Sequence, residues 1–406
     1  VALPTLVDPV VVASYATSGL RIARRRVRGM RRFEGDAASI CRGVIESCWT
    51  GAYLAASGGH FRQAWTRDLG FSAPSLVRLG QGERVRASLA WMLDAWSRRG
   101  RVTTTVFPGG RPRDIWTLGV DSLPLLVHAL RAVEADDLVA RHAAWLGPEV
   151  ARYGAAVLDP ATGLVRDDRA FSTHRDTVRT RANAYAATMV ALLDRHLREG
   201  GWFPSPVPAG AADRLVAAHW RGDRFADRAD GAEVTGDATV APFFFRVVPD
   251  ELGLAVALAA ARSAGLADPL PLRYSARRDA SAEGRVQRWL VADYQGSAIW
   301  TSLGAMYLRL LQRVDPLAAR EASAGYRRIV ERDGTVVEVY DGQAPGLRPY
   351  RGRFRLFVAD EAMLWAAILL EAFQEEDPGS PPSVDRAGAP RMTAPAACSF
   401  ADGARH

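Results

Sequence analysis

Carboxylates set beside tryptophans, each cluster just ahead of a helical pattern, are the residues best suited to chemistry. In GGHFRQAWTRDLGF (58–71), Trp65, Arg67 and Asp68 stand together. A tryptophan face suits the C–H surface of a sugar, and Arg with Asp can bond hydroxyls in pairs. The structural alternative is Asp68 as a helix cap paired with Arg67. In RPRDIWTLGVDSLPLLVHAL (111–130), Asp121 precedes an apolar run with Pro124 in its first turn, which predicts a helix start. Trp116 and that apolar helix could strip water from the Asp121 carboxyl and lift its pKa toward the range of a general acid. A plain N-cap is the alternative.

Three further segments carry polar density. HRDTVRTRANAYAATMV (174–190) sets Arg175, Asp176, Arg179, Arg181, Asn183 and Tyr185 before or at a helix start, where they could hold hydroxyls or a substrate carboxylate, or simply form an exposed ion-pair patch. EVTGDATVAPFFF (233–245) and YQGSAIWTSLG (294–304) offer Asp237, Gln295 and Trp300, while the FFF run reads as core packing. In DGTVVEVYDG (333–342), alternation with Val337 and Val339 puts Glu338 and Tyr340 on one face of a short strand.

These clusters need elements to position them. Apolar residues recur at three- and four-residue spacing over roughly 36–58, 67–79, 83–97, 121–134, 136–158, 181–199, 211–220, 250–265, 296–313, 316–331 and 359–375, close to twelve helices. Strand-like alternation is confined to short stretches such as GLVRDD, DRFAD and TVVEVYD. Paired helices joined by longer polar connections predict an all-α toroid of six hairpins, an (α/α)6 barrel, with β-hairpin decorations in its loops. The expected division is a basic arm at 1–33, one barrel at 34–376 and a Pro/Gly/Ala-rich tail at 377–406.

Composition removes several functions. Hydrophobic residues make up 48% and no run is long and apolar enough to span a bilayer, so no membrane partner is expected. The chain has no lysine, which excludes Schiff-base chemistry, pyridoxal-phosphate attachment and a P-loop. Its net charge of +7 is spread among acids, which argues against nucleic acid. RIARRRVRGMRR (Arg21–Arg32) is the exception; it fits an anionic surface or, as expected here, an amphipathic helix capping the domain. That cluster follows the apolar opening instead of preceding it, the reverse of a secretory signal, so a cytoplasmic location is expected. Cys41, Cys48 and Cys398 lack both disulfide and zinc-ligand patterns.

Taken in order from about residue 45 to 375, the segments resemble the α/α-toroid glycosidases: neutral and alkaline invertases, trehalases, processing α-glucosidases and the glucosidase half of glycogen debranching enzyme. AWTRDLGFSAPSLVRLGQGERVRASL is similar to the invertase segment whose Arg-Asp pair opens a pocket helix. VDSLPLLVHALRA resembles the invertase segment beginning Val-Asp-Ser, which implies that Asp121 is the catalytic acid. EVYDG resembles the Glu-x-Tyr-Asp of invertases and trehalases, which implies that Glu338 is the base. YQGSAIWTSLG is similar to a pocket loop of the family but lacks its Asn and has Thr301 for Pro, so sucrose is not carried over. ADEAMLWAAILLEAF matches the helix that usually follows, with Trp365 at the family's aromatic position.

The resemblance implies inverting hydrolysis of a small glycoside or oligosaccharide of α-glucoside type without metal or cofactor. Asp121 and Glu338 would flank the sugar, with Trp65, Arg67, Asp68, Trp116, Arg175, Asp176, Asn183, Tyr185, Asp237, Gln295, Trp300, Tyr340 and Trp365 lining the pocket. A glycoside bearing a carboxylate would suit Arg175, Arg179 or Arg181. A homo-oligomer is compatible with the sequence. The rival readings are a sugar epimerase or uronyl hydrolase on the same scaffold, and a carbohydrate-binding scaffold without turnover.

Overall fold

The computed structural model describes residues 9–115, 117–176, 181–355 and 357–376. Trp116, Arg179, Cys398 and the tail at 377–406 therefore lie outside the described residues, as do the first eight of the arm.

In chain order the helices are α1 (Pro9–Arg28), α2 (Ala37–Cys48), α3 (Thr66–Arg78), α4 (Gly82–Ser97), α5 (Ser122–Ala132), α6 (Asp136–Val157) and α7 (Ala184–Gly200). They continue with α8 (Ala211–His219), α9 (Gly236–Phe244), α10 (Glu251–Ser263), α11 (Arg285–Leu290), α12 (Thr301–Val314), α13 (Pro316–Asp333) and α14 (Ala366–Glu376). Each of α3, α5, α7, α9, α12 and α14 packs on the next and α14 returns to α3, closing an inner ring. The helices α2, α4, α6, α8, α10 and α13 lie outside it. This is an (α/α)6 barrel.

Every hairpin runs from an outer helix to an inner one, so all six inner helices start at the same end. The loops feeding those starts are long (49–65, 98–121, 158–183, 220–235, 264–300 and 334–365), while returns such as 79–81 and 133–135 are short. One end of the barrel is therefore built of long loops and helix N-termini. Two small antiparallel sheets stiffen it. The first orders β1 (Ala64–Trp65), β2 (Thr105–Phe107) and β3 (Arg111–Arg113); the second orders β4 (Ile299–Trp300), β5 (Val339–Asp341) and β6 (Arg348–Pro349).

Close packing in the ring depends on small residues. A Cβ at Gly70 on α3 would meet Leu125 Cβ at 2.6 Å, and one at Gly304 on α12 would overlap the Tyr326 hydroxyl. Several predicted helix bounds move, among them the start of the 296–313 run, which falls at Thr301. The 36–58 run ends at Cys48, after which Gly51, Gly58 and Gly59 sit in loop, and the 359–375 helix begins at Ala366. The FFF segment is a further departure: α9 is an inner helix with Pro242 inside it and every residue from Gly236 to Phe243 buried. A helix buried all round shows no amphipathic period, which is why periodicity missed it.

Within the basic arm, Pro9–Arg28 form α1. Ile22 of α1 is buried, Arg21 donates to the His60 carbonyl at 3.3 Å, and Arg25 pairs with Glu361 at 3.0 Å. Cys41 and Cys48 are buried free thiols, both pushed up to about 12 by loss of water. Among the described residues no helix is long and apolar enough to cross a membrane.

Candidate active site

A cavity of about 490 Å³ opens at the loop-rich end of the ring. Of the residues singled out in the sequence, Trp65, Arg67, Asp68, Asp176, Gln295, Trp300, Glu338 and Trp365 line it. They come from the starts of α3, α12 and α14 and from the loops before α7 and β5. Their convergence follows from the common direction of the inner helices.

Glu338 is held by a donor on each oxygen. Its Oε1 accepts from the Tyr294 hydroxyl at 2.5 Å and its Oε2 from the Asp360 backbone N–H at 2.8 Å. Burial, reinforced by the nearby Asp360 charge, pushes the carboxyl up to about 7. Asp360 is held ionised below the usual carboxylate range, against burial, by His60 and by the Ser57 hydroxyl. His60 Nδ1 lies 2.8 Å from Asp360 Oδ1. Asp68, in the first turn of α3, is pushed up to about 8 by burial, opposed by Arg67 and reinforced by Glu338.

Arg67 ties two acids together. Its Nε and Nη2 donate to Asp121 at 2.6 and 3.3 Å, and its Nη1 donates to Asp176 at 2.9 Å. Tyr185 also donates to Asp121, at 2.8 Å. Asp121 is 1% exposed and does not line the cavity, so the expectation that it points out as the proton donor is corrected. A carboxylate with both oxygens bonded to a guanidinium and a phenol, out of contact with the cavity, positions Arg67 instead. Asp176 keeps 14% of its side chain exposed, faces the cavity and accepts a second bond from Ser172.

Five other expected contacts are also corrected, because their polar atoms are used inside the protein, away from the cavity. Arg175 is buried between Asp227 at 2.5 Å and Asp237 at 3.1 Å, which accounts for both Arg175 and Asp237. Asn183 is the N-cap of α7, accepting from Ala186 N–H at 2.9 Å. Tyr340 donates to Asp333 at 2.9 Å. Alternation failed to place Tyr340 beside Glu338 because the strand starts only at Val339. Tyr185, as above, is committed to Asp121. Arg181 is exposed and off the cavity wall. Asn183→Ala is therefore expected to cost about 0.5–2 kcal/mol of stability, seen as a lower Tm, with KM little changed.

Sequence reasoning passed over Tyr294 and Phe357, which line the cavity together with His60 and His174, the two histidines of the pocket-forming segments. His174 is kept neutral, well below the usual imidazole range, by burial and by Arg67 and Arg175. The signal for Tyr294 lay in YQGSAIW, next to the chosen Gln295. Within the protein, His60 Nε2, Trp65 Nε1 and Trp365 Nε1 are buried at the cavity without a hydrogen-bond partner. Buried polar atoms are nearly always paired, so three such atoms around one cavity mark where a polar ligand completes them.

No family model and no curated protein matches the chain. Solved structures do. A glycosidase variant in complex with glucose aligns at a TM-score of 0.57 and 15% identity, covering 90% of this chain and 98% of that one. The GH63 mannosylglycerate hydrolase from Thermus thermophilus, in complex with Tris and D-glycerate, aligns at a TM-score of 0.53 and 15% identity, covering 83% and 100%. At that identity the likeness carries the fold.

Proposed function

We propose that this chain is a glycoside hydrolase acting with inversion, in which Glu338 activates water and Asp176 protonates the departing oxygen. The observation that carries the reading is the gathering of Glu338, Asp68 and Asp176 with Trp65, Trp300 and Trp365 around one cavity. Tryptophan faces and directed carboxyls are what a neutral, C–H-rich sugar requires. The glycosidase names of the structural neighbours agree with it.

The roles follow from the environments. Glu338, held by two donors and pushed up to about 7, is a base strong enough to take a proton from water near neutrality. Asp176 and Glu338 are the pair assigned to the reaction; inversion asks for roughly 6.5–9.5 Å between the two carboxyls, which leaves room for sugar and water. Asp121 takes two N–H groups of Arg67 and Asp176 shares the remaining side, so the guanidinium is already compensated. Asp176 keeps part of its side chain exposed on the cavity wall, where it can reach a departing oxygen. Asp68, neutral up to about pH 8, can donate to a sugar hydroxyl.

The test is a panel of α- and β-glycosides of common hexoses followed by proton NMR. Release of a sugar whose first-formed anomer is opposite to that of the substrate is expected; retention, or no release from any member, overturns the reading. A base acts ionised, so kcat/KM is expected to fall as pH drops through about 7, where Glu338 takes up its proton. A profile flat from pH 5 to 8 would remove Glu338 from the role.

One observation favours a sugar epimerase as a second reading: His60 and His174 both face the cavity. It predicts incorporation of solvent deuterium at a sugar carbon with no glycoside cleaved.

A further inference from the structure

We infer that the outer part of the cavity receives an apolar aglycone, making the substrate the glycoside of a hydrophobic alcohol; this rests on the hydrolase reading above. The cavity's volume lies in the ~300–1,000 Å³ range that encloses ligands larger than one sugar ring. Its carboxyls are Asp68, Asp176 and Glu338. Much of the wall is apolar and built from parts that do not belong to the ring, namely Ile22 of α1, Phe107 of β2, Ile115 beyond β3, Val286 and Leu290 of α11, and Phe357, with Ser18 of α1 and Gln287 of α11 as its polar members.

Phe107 and Ile115 form a small buried cluster of their own, with Trp65 packed against it, separate from the barrel core. They are apolar side chains placed at the cavity and not drawn into the general interior. On α1, Arg21 and Arg25 are tied to the barrel through the His60 carbonyl and Glu361, and Ile22 beside them faces the cavity. Val286 is 64% exposed although it lines the same cavity, so this wall reaches the mouth.

A second sugar here would leave hydroxyls facing hydrocarbon, which is costly without hydrogen bonds. An acidic aglycone would need a cation, and neither Arg175 nor Arg181, the described arginines the sequence offered for one, lines the cavity. Arg67 is shared by Asp121 and Asp176, and Arg175 is buried with Asp227 and Asp237 away from the cavity. An alkyl or aryl group has neither need and gains from leaving water.

The experiment compares octyl, ethyl and glycerate glycosides of each hexose in the panel, whose alcohols leave with similar intrinsic difficulty. The octyl glycoside is expected to show kcat/KM at least about tenfold above the ethyl one, since each buried methylene adds to transition-state binding. Leu290→Gln and Phe107→Ser are expected to bring that ratio toward one. An ethyl or glycerate glycoside turned over as well as the octyl one overturns the inference while leaving the hydrolase reading in place. Binding of 2-naphthol, followed by its fluorescence, separates the remaining cases. If no glycoside is cleaved but naphthol binds and Leu290→Gln weakens it, the hydrolase reading falls and the apolar site stands. If naphthol does not bind either, the apolar site falls too.

Discussion

Glu338→Gln is expected to lower kcat by about 10²–10⁴-fold, the usual scale for losing a positioned base. The amide matches the carboxylate in size; its oxygen can accept from the Asp360 N–H while its NH2 donates to the Tyr294 hydroxyl oxygen, so the side chain should stay where it is. What it cannot do is take a proton from water. The loss should therefore be as deep on substrates with excellent leaving groups as on alkyl glycosides, because the attacking water needs activation in both. Removing a carboxyl that burial pushes up to about 7 also relieves the folded protein of a charge at alkaline pH. A raised carboxyl favours the folded state below its unfolded value and loses that contribution as pH rises through about 7, so the variant's Tm should exceed the wild type's more at pH 9 than at pH 5. Activity within tenfold of wild type on an alkyl glycoside would rule out Glu338 as the base.

Asp176→Asn should divide substrates by leaving group. On alkyl glycosides the departing oxygen must be protonated, and kcat is expected to fall by about 10²–10⁴-fold. On glycosyl fluorides, which leave without a proton, most of the activity should remain. The same comparison tests the neighbouring acids. Asp121→Asn weakens the two-point hold on Arg67 and should depress both substrate types together, the mark of a positioning residue. Asp68→Asn should raise KM through a lost hydroxyl contact. If Asp68→Asn gives the leaving-group split and Asp176→Asn does not, the acid is Asp68 and the assignment above is wrong.

The architecture was largely legible because amphipathic helices announce themselves by period, and those of the barrel did so except α9 and the short α11. The site was legible as a set of segments more than as a set of atoms. The segment around WTRD led to the cavity, and so did YQGSAIW and EVYD, since each ends where an inner helix or small strand begins. Within a segment, neighbours point in different directions. Arg175 and Asp176 are adjacent, yet one is buried against Asp227 and the other faces the cavity. Asp121 carried the stronger resemblance, but its side chain turns to Arg67 and Tyr185, a choice made by partners 54 and 64 residues away. Pairings of that range leave no trace in local pattern. The covering by α1 was anticipated only as a cap; that Ile22 would enter the cavity wall depended on how Arg21 and Arg25 dock.

The shared direction of the six inner helices carries an electrostatic consequence. Each helix presents roughly half a positive charge at its N-terminus, so the barrel by itself aims a positive field at the place where an oxocarbenium-like cation would have to form. Asp121, at the start of α5, and Asp360, held ionised beside His60, set carboxylates against that field. Acids that never touch the sugar thus work as counter-ions to the scaffold, and neutralising any of them should make the floor less hospitable to a carbocation and more so to an anion.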